Sequence, residues 1–178
     1  MQKIKDKMIL GVLAGLGANV VKNVLGLTAM RFGLAEIDGP HRAAGLLVPP
    51  HKIADPKGKL VGFIADSVMA GTLGVITLSG LSMFGKKHGV IKGGLAGAGM
   101  WTMLYGALGT LGATKVNPVS PATVLAEFVE HSVFGAVTAV LITQMGDESI
   151  FNKTPANSGQ TAKQAIPNVS YINSETAN

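Results

Sequence analysis

Four apolar runs of membrane-spanning length divide the chain. They extend from Met8 to about Met30, from Lys59 to about Phe84, from Gly89 to about Ala113 and from Pro121 to about Met145. A helix of about 20 apolar residues crosses a hydrocarbon core ~30 Å thick. The pattern therefore predicts an all-α polytopic membrane protein whose four transmembrane helices occupy residues 1–145. Met8 to Ala18 has the length of a signal-peptide core, but apolarity resumes at Val24 to Met30, which favours one uncleaved helix.

The connections differ in kind. Gly33 to Gly58 contains Pro40, Pro49, Pro50 and Pro56. These prolines predict an extended, irregular loop over 33–58. Its bland reading is a solvated connector with Ala43 to Val48 on the membrane interface, and its functional reading is a ligand-collecting or gating loop. Gly85 to His88 is a tight basic turn and Thr114 to Pro121 a short polar connector. From Gly146 onward Asn, Ser, Thr, Gln and Lys follow without periodicity, which predicts a largely disordered polar tail over 146–178.

Composition sharpens this picture. Only 14% of residues are charged and 47% are hydrophobic, well away from the balance of a soluble domain. With no cysteine, disulfides, thiolate metal sites and cysteine nucleophiles are excluded. The formal charge of +5 lies mostly at the edges of apolar runs, where it sets topology or touches anionic headgroups, so nucleic acid is not an expected partner. Lys3, Lys5, Lys7, Lys86, Lys87 and Lys92 fall on one side of four spans, predicting a bacterial cytoplasmic (inner) membrane protein with both termini cytoplasmic. Arg31, Arg42, Lys52, Lys57 and Lys59 stand on the opposite side. Gly93, Gly97, Gly106, Gly109 and Gly112 in the third run, with Gly11, Gly15 and Gly26 in the first, predict a compact glycine-rich bundle. The same glycine faces are candidates for homo-oligomer contacts or for another membrane protein.

The polar residues inside the apolar runs carry the candidate chemistry. Glu127, Glu130 and His131 lie within an arc of about 100° on the last helix. Asn19, Lys22 and Asn23 repeat that spacing on the first, and Asp66 and Tyr105 interrupt the second and third. Counted from the outer ends of four antiparallel helices, Lys22, Asp66, Tyr105 and Glu127 fall roughly 10 to 12 Å deep, with Glu130 and His131 about one turn deeper. An unpaired charge at a helix centre costs about 2.5–3.5 kcal/mol on insertion scales, so Lys22 is expected to pair with Asp66 or Glu127. The expected site is an intramembrane cluster of Asn19, Lys22, Asn23, Asp66, Tyr105, Glu127, Glu130 and His131. It serves either as a structural clamp in a partner-binding protein or, alternatively, as the proton or cation site of a transporter or channel subunit.

Other motifs carry less. Gly15-Leu-Gly17 and Gly97-Ala-Gly99 are fragments of a dinucleotide fingerprint without its strand, so no cofactor is expected. Glu127-Phe-Val-Glu130-His131 lacks the histidine that an inverted zincin motif needs at its first position, and no metal is expected there. No serine has an evident base partner, and no enzymatic activity is expected. The third and fourth runs resemble uncharacterised bacterial inner-membrane proteins of the YagU type. The shared features are Lys92-Gly-Gly-Leu-Ala-Gly97-Ala, a connector with prolines at 118 and 121, and a Glu-x-x-x-His pair at Glu127 and His131. In that pattern a glycine precedes the histidine, where this chain has Glu130. The resemblance implies a multi-span membrane protein and singles out Glu127 and His131 without assigning them a reaction.

Overall fold

The computed structural model describes residues 3–113, 116 and 119–151, with the backbone alone at Leu108. It is all-α. Helix α1 covers Lys7–Arg31, α2 Gly39–Leu47, α3 Pro56–Phe84, α4 Gly89–Thr110 and α5 Pro121–Met145. Each start has a local cause. The Asp6 carboxylate accepts from the Ile9 amide, Asp38 from His41 and Ser120 Oγ from Thr123, which satisfies amides that have no partner inside a first turn. Pro40, Pro56 and Pro121 stand in the first turn of their helices, where a missing N–H removes no hydrogen bond. Gly85, with φ of 77°, ends α3, and His88 in the left-handed region leads into α4.

Residues 33–58 are therefore not the extended loop that their prolines predict. Pro40 opens α2, Pro50 opens a 3-10 turn over Pro50–Lys52 and Pro56 opens α3, so the prolines bracket helices instead of breaking one. Helix α2 buries Arg42, Ala43, Ala44 and Gly45, and it lies along α3. The solvated-connector reading therefore fails for α2.

α1 packs along α3 and α5, and α4 packs along α5. Two crossings between the long helices depend on absent side chains, as does the seating of α2 on α3, where a Cβ at Gly62 would collide with the Pro40 carbonyl. A Cβ at Gly15 would collide with the Ala70 carbonyl, and one at Gly74 with the Gly11 carbonyl. At the other crossing Gly93 and Gly97 of α4 meet Gly135 of α5 backbone to backbone. Close approach of this kind substitutes dispersion for the hydrophobic drive that lipid does not supply. The glycine face of α1 is thus used within the chain, whereas Gly99, Gly106 and Gly109 of α4 face open space. α3 and α4, though joined by the tight 85–88 turn, touch only slightly and leave a seam between them.

α1, α3 and α5 are long and apolar enough to cross a membrane. α4, at 22 residues, is not among them. Large apolar residues point outward from the helices, Val20 and Leu27 on α1, Leu60 and Val68 on α3, Leu95 and Met103 on α4 among them. Such a surface suits lipid and not water.

One end of the molecule is tied together. Ile4 bridges to Gly146, Lys3 Nζ donates to the Gln144 carbonyl, and Lys86 Nζ pairs with Glu148 at 2.5 Å. The chain continues past α5 into a 3-10 turn over Glu148–Ile150, started by Asp147, whose carboxyl is held below its ordinary range by hydrogen bonds from the Ser149 hydroxyl and amide. Ile150 and Phe151 are buried against Leu10, Leu78, Leu81 and Ile142. The disorder predicted from Gly146 is therefore corrected as far as Phe151, since these apolar residues dock onto the bundle end. The rest of that tail, 152–178, lies outside the described residues.

The crossings make a graded expectation. Gly15→Leu or Gly135→Leu should lower unfolding stability in mixed micelles by about 1–3 kcal/mol or more, the scale of forced overpacking. Gly99→Leu and Gly106→Leu, which meet open space, should leave it within about 0.5 kcal/mol.

A buried polar layer as the candidate functional site

The first polar group joins α1 to α3. Lys22, Asn19 and Asn23 project from one face of α1 onto Asp66 of α3. Lys22 Nζ lies 2.5 Å from Oδ1, and the Asn19 and Asn23 side-chain amides donate to Oδ2 at 2.8 and 3.2 Å. Three donors on one carboxylate leave it few free lone pairs, which is how a buried charge is made tolerable. α2 covers the pair at its first residue. A Cβ on Gly39 would stand 3.0 Å from Lys22 Nζ and 3.2 Å from Asp66 Oδ1, so a side chain here would press on the ion pair.

The second group joins α2 to α5. The Arg42 guanidinium grips the Glu127 carboxylate with Nε and Nη2 on Oε1 at 2.9 and 2.7 Å, and Nη2 on Oε2 at 2.9 Å. Its Nη1 donates to the Val116 carbonyl at 3.2 Å, and its Cζ lies 4.8 Å from the centre of the Tyr105 ring. Planar, forked donation to a carboxylate adds geometric definition to the Coulomb attraction, which lysine would not supply. Glu127, 1% exposed, is the most enclosed charge in the layer.

The expected cluster is thus assembled, with a different wiring. Asn19, Lys22, Asn23 and Asp66 converge as expected. Glu127 does not pair with Lys22, because Asp66 holds the lysine and Arg42 arrives from the segment read as a loop. Arg42 was the missing residue. Its local signal is a cation at the head of the apolar stretch Ala43 to Val48, preceded by the cap Asp38 and by Pro40.

Glu130 and His131 stand apart from both pairs. Glu130, 4% exposed, has no hydrogen-bond partner among the described residues and faces α1 at Gly26, where a Cβ would come within 3.1 Å of Oε2. His131 Nδ1 is 2.8 Å from the Glu127 carbonyl. A carbonyl only accepts, so Nδ1 carries the proton and Nε2 is an acceptor. The imidazole meets the Tyr105 ring edge to face at 6.1 Å, and Tyr105 stacks on Trp101 at 5.1 Å.

Beside these groups lies a cavity of about 80 Å³ at the seam between α3 and α4, under α2. Lys22, Arg42, Asp66, Tyr105 and His131 give it polar walls, and Leu73, Leu104 and Phe134 are among its apolar ones.

A charge pair of this kind should behave asymmetrically. Arg42→Met or Glu127→Leu alone leaves one uncompensated buried charge and should destabilise the protein by about 3–5 kcal/mol, while the double variant should recover most of that loss. A double-mutant cycle by unfolding in mixed micelles measures the difference. No family model matches the chain, and no curated protein or solved structure does.

Proposed function

We propose that the chain is a four-span bilayer protein of structural or partner-binding type, whose polar layer is a clamp that docks α2 into the bundle. The observation that carries this reading is that each of the four formal charges, Lys22, Asp66, Arg42 and Glu127, is in contact with an opposite charge, with Asp66 and Arg42 held by further hydrogen bonds. Charges that must bind and release a passing ion are not paired this closely with each other. The clamp joins α1 to α3 and α2 to α5, and so fixes the arrangement that the glycine crossings alone leave adjustable.

The fourth span is α4. Its 22 residues extend about 33 Å at 1.5 Å per residue, the thickness of the hydrocarbon core. Its tight packing on α5 supports the same reading. Four spans return the end of α5 to the side where the chain begins, in keeping with the contacts of Lys3 and Ile4 with Gln144 and Gly146. That side carries Lys3, Lys5, Lys7, Lys86, Lys87 and Lys92 and is the cytoplasmic side of a bacterial inner membrane. Arg42 does not count against this orientation, since it is neutralised inside the bundle. The likeness to YagU-type proteins fits this account, with Glu127 acting in the clamp.

A second reading, proton or cation handling, is favoured by Glu130, a buried carboxyl without a partner, next to His131. The two readings separate in liposomes carrying a pH-sensitive dye. The clamp predicts no proton flux above empty vesicles in the parent protein. Flux that Glu130→Gln abolishes would replace the clamp by the transport reading. Because the chain has no cysteine, single cysteines at 5, 87 and 148 can test the topology. All three should react with an impermeant maleimide from one side, and cysteines at 52 and 57 from the other.

A further inference from the structure

We infer that the cavity at the α3–α4 seam is a binding site for the neutral, hydroxyl-bearing head of an amphiphile dissolved in the bilayer. Three features define the ligand. The first is unused hydrogen-bonding capacity of both kinds. Lys22 directs one of its three ammonium protons to Asp66 and makes no second hydrogen bond among the described residues. His131 has its Nδ1 proton fixed on the Glu127 carbonyl, which leaves Nε2 as an acceptor without a partner among the described residues. Both side chains line the cavity. A group that accepts from the ammonium and donates to the imidazole completes both, and a hydroxyl is the simplest one that does.

The second feature is charge. The two cations on the cavity wall are each neutralised, Lys22 by Asp66 and Arg42 by Glu127. An anionic head would bring an uncompensated charge into a low-dielectric site, and a cationic head would face Lys22 and Arg42. A neutral head meets neither penalty. The third feature is shape. About 80 Å³ holds a head and the first carbons of a chain, since a cavity near 150 Å³ accommodates benzene. Leu73 and Phe134 line the apolar part, and the slight contact of α3 with α4 leaves a lateral path by which an alkyl chain reaches lipid. The site takes its ligand from the membrane.

Trp101, the only tryptophan, stacks on the cavity residue Tyr105 and reports occupancy. The full chain in phosphatidylcholine vesicles is titrated with a decanol brominated beside its hydroxyl carbon, with bromodecane and with bromoethanol, following bromine quenching of Trp101. The expected result is saturable quenching by the bromodecanol, with bromodecane quenching only in proportion to its bilayer concentration. His131→Phe should raise the half-saturating concentration about tenfold, as expected for a lost hydrogen bond in an apolar site. Gly109→Leu, whose added side chain meets open space on the cavity wall, should abolish saturation while keeping the parent thermal midpoint. Linear quenching by the bromodecanol, equal saturation by bromodecane, or an unchanged curve in folded Gly109→Leu protein would overturn the site. Saturation by bromoethanol at the same aqueous concentration would overturn the membrane source.

Discussion

Everything in this molecule depends on the rule that a charge within an apolar bundle must have its opposite in contact. Lys22 and Asp66 obey it across α1 and α3, and Arg42 and Glu127 obey it across α2 and α5. The second pair has the larger structural consequence. α2 has nine residues, too few to cross a bilayer, and its Asp38 cap and Pro40 start only make it a helix. It is held in the bundle by close packing on α3 at Gly62, by Arg42 reaching Glu127 and by the approach of Gly39 to the Lys22–Asp66 pair. A buried pair of this sort contributes less to stability than to uniqueness, since apolar residues of similar volume could fill the same space. Here it adds a defined partner on α5 to the position that packing of α2 on Gly62 of α3 already favours.

The glycine crossings act at another level. Gly11, Gly15 and Gly74 bring α1 against α3, and Gly93, Gly97 and Gly135 bring α4 against α5. Each pair of helices is locked backbone to backbone, while α3 and α4 hardly touch. The molecule is thus two closely packed halves joined through the α1–α5 contact and bridged by the polar layer. The cavity follows from that arrangement. It lies where the halves separate and polar side chains from all five helices reach the gap.

Much of this was legible in the sequence. The helical class, the positions of α1, α3 and α5, and the convergence of Asn19, Lys22 and Asn23 on Asp66 follow from apolar run length and from the cost of an unpaired charge in lipid. What was not legible is equally specific. Four prolines in 33–58 read as helix breakers, yet three of them stand in first turns, and only at Pro40 does a side-chain cap, Asp38, mark the start. Reading that segment as a loop leaves Arg42 out of consideration, so that Lys22 is the one cation offered to both Asp66 and Glu127. The docking of Ile150 and Phe151 was hidden for a related reason, because two apolar residues in a polar context have no periodicity to reveal them.

The central claim is that α2 is an integral part of the bundle, and amide hydrogen exchange of the full chain in lipid nanodiscs tests it most directly. Backbone amides that are both hydrogen-bonded and shielded from water exchange slowly, and a surface loop does not protect them. The account predicts that the amides of residues 42–47 exchange at rates comparable with those of α3, and that Glu127→Gln raises the α2 rates selectively while α3 stays protected. Exchange of residues 42–47 in the parent protein as fast as that of residues 33–35 would contradict it.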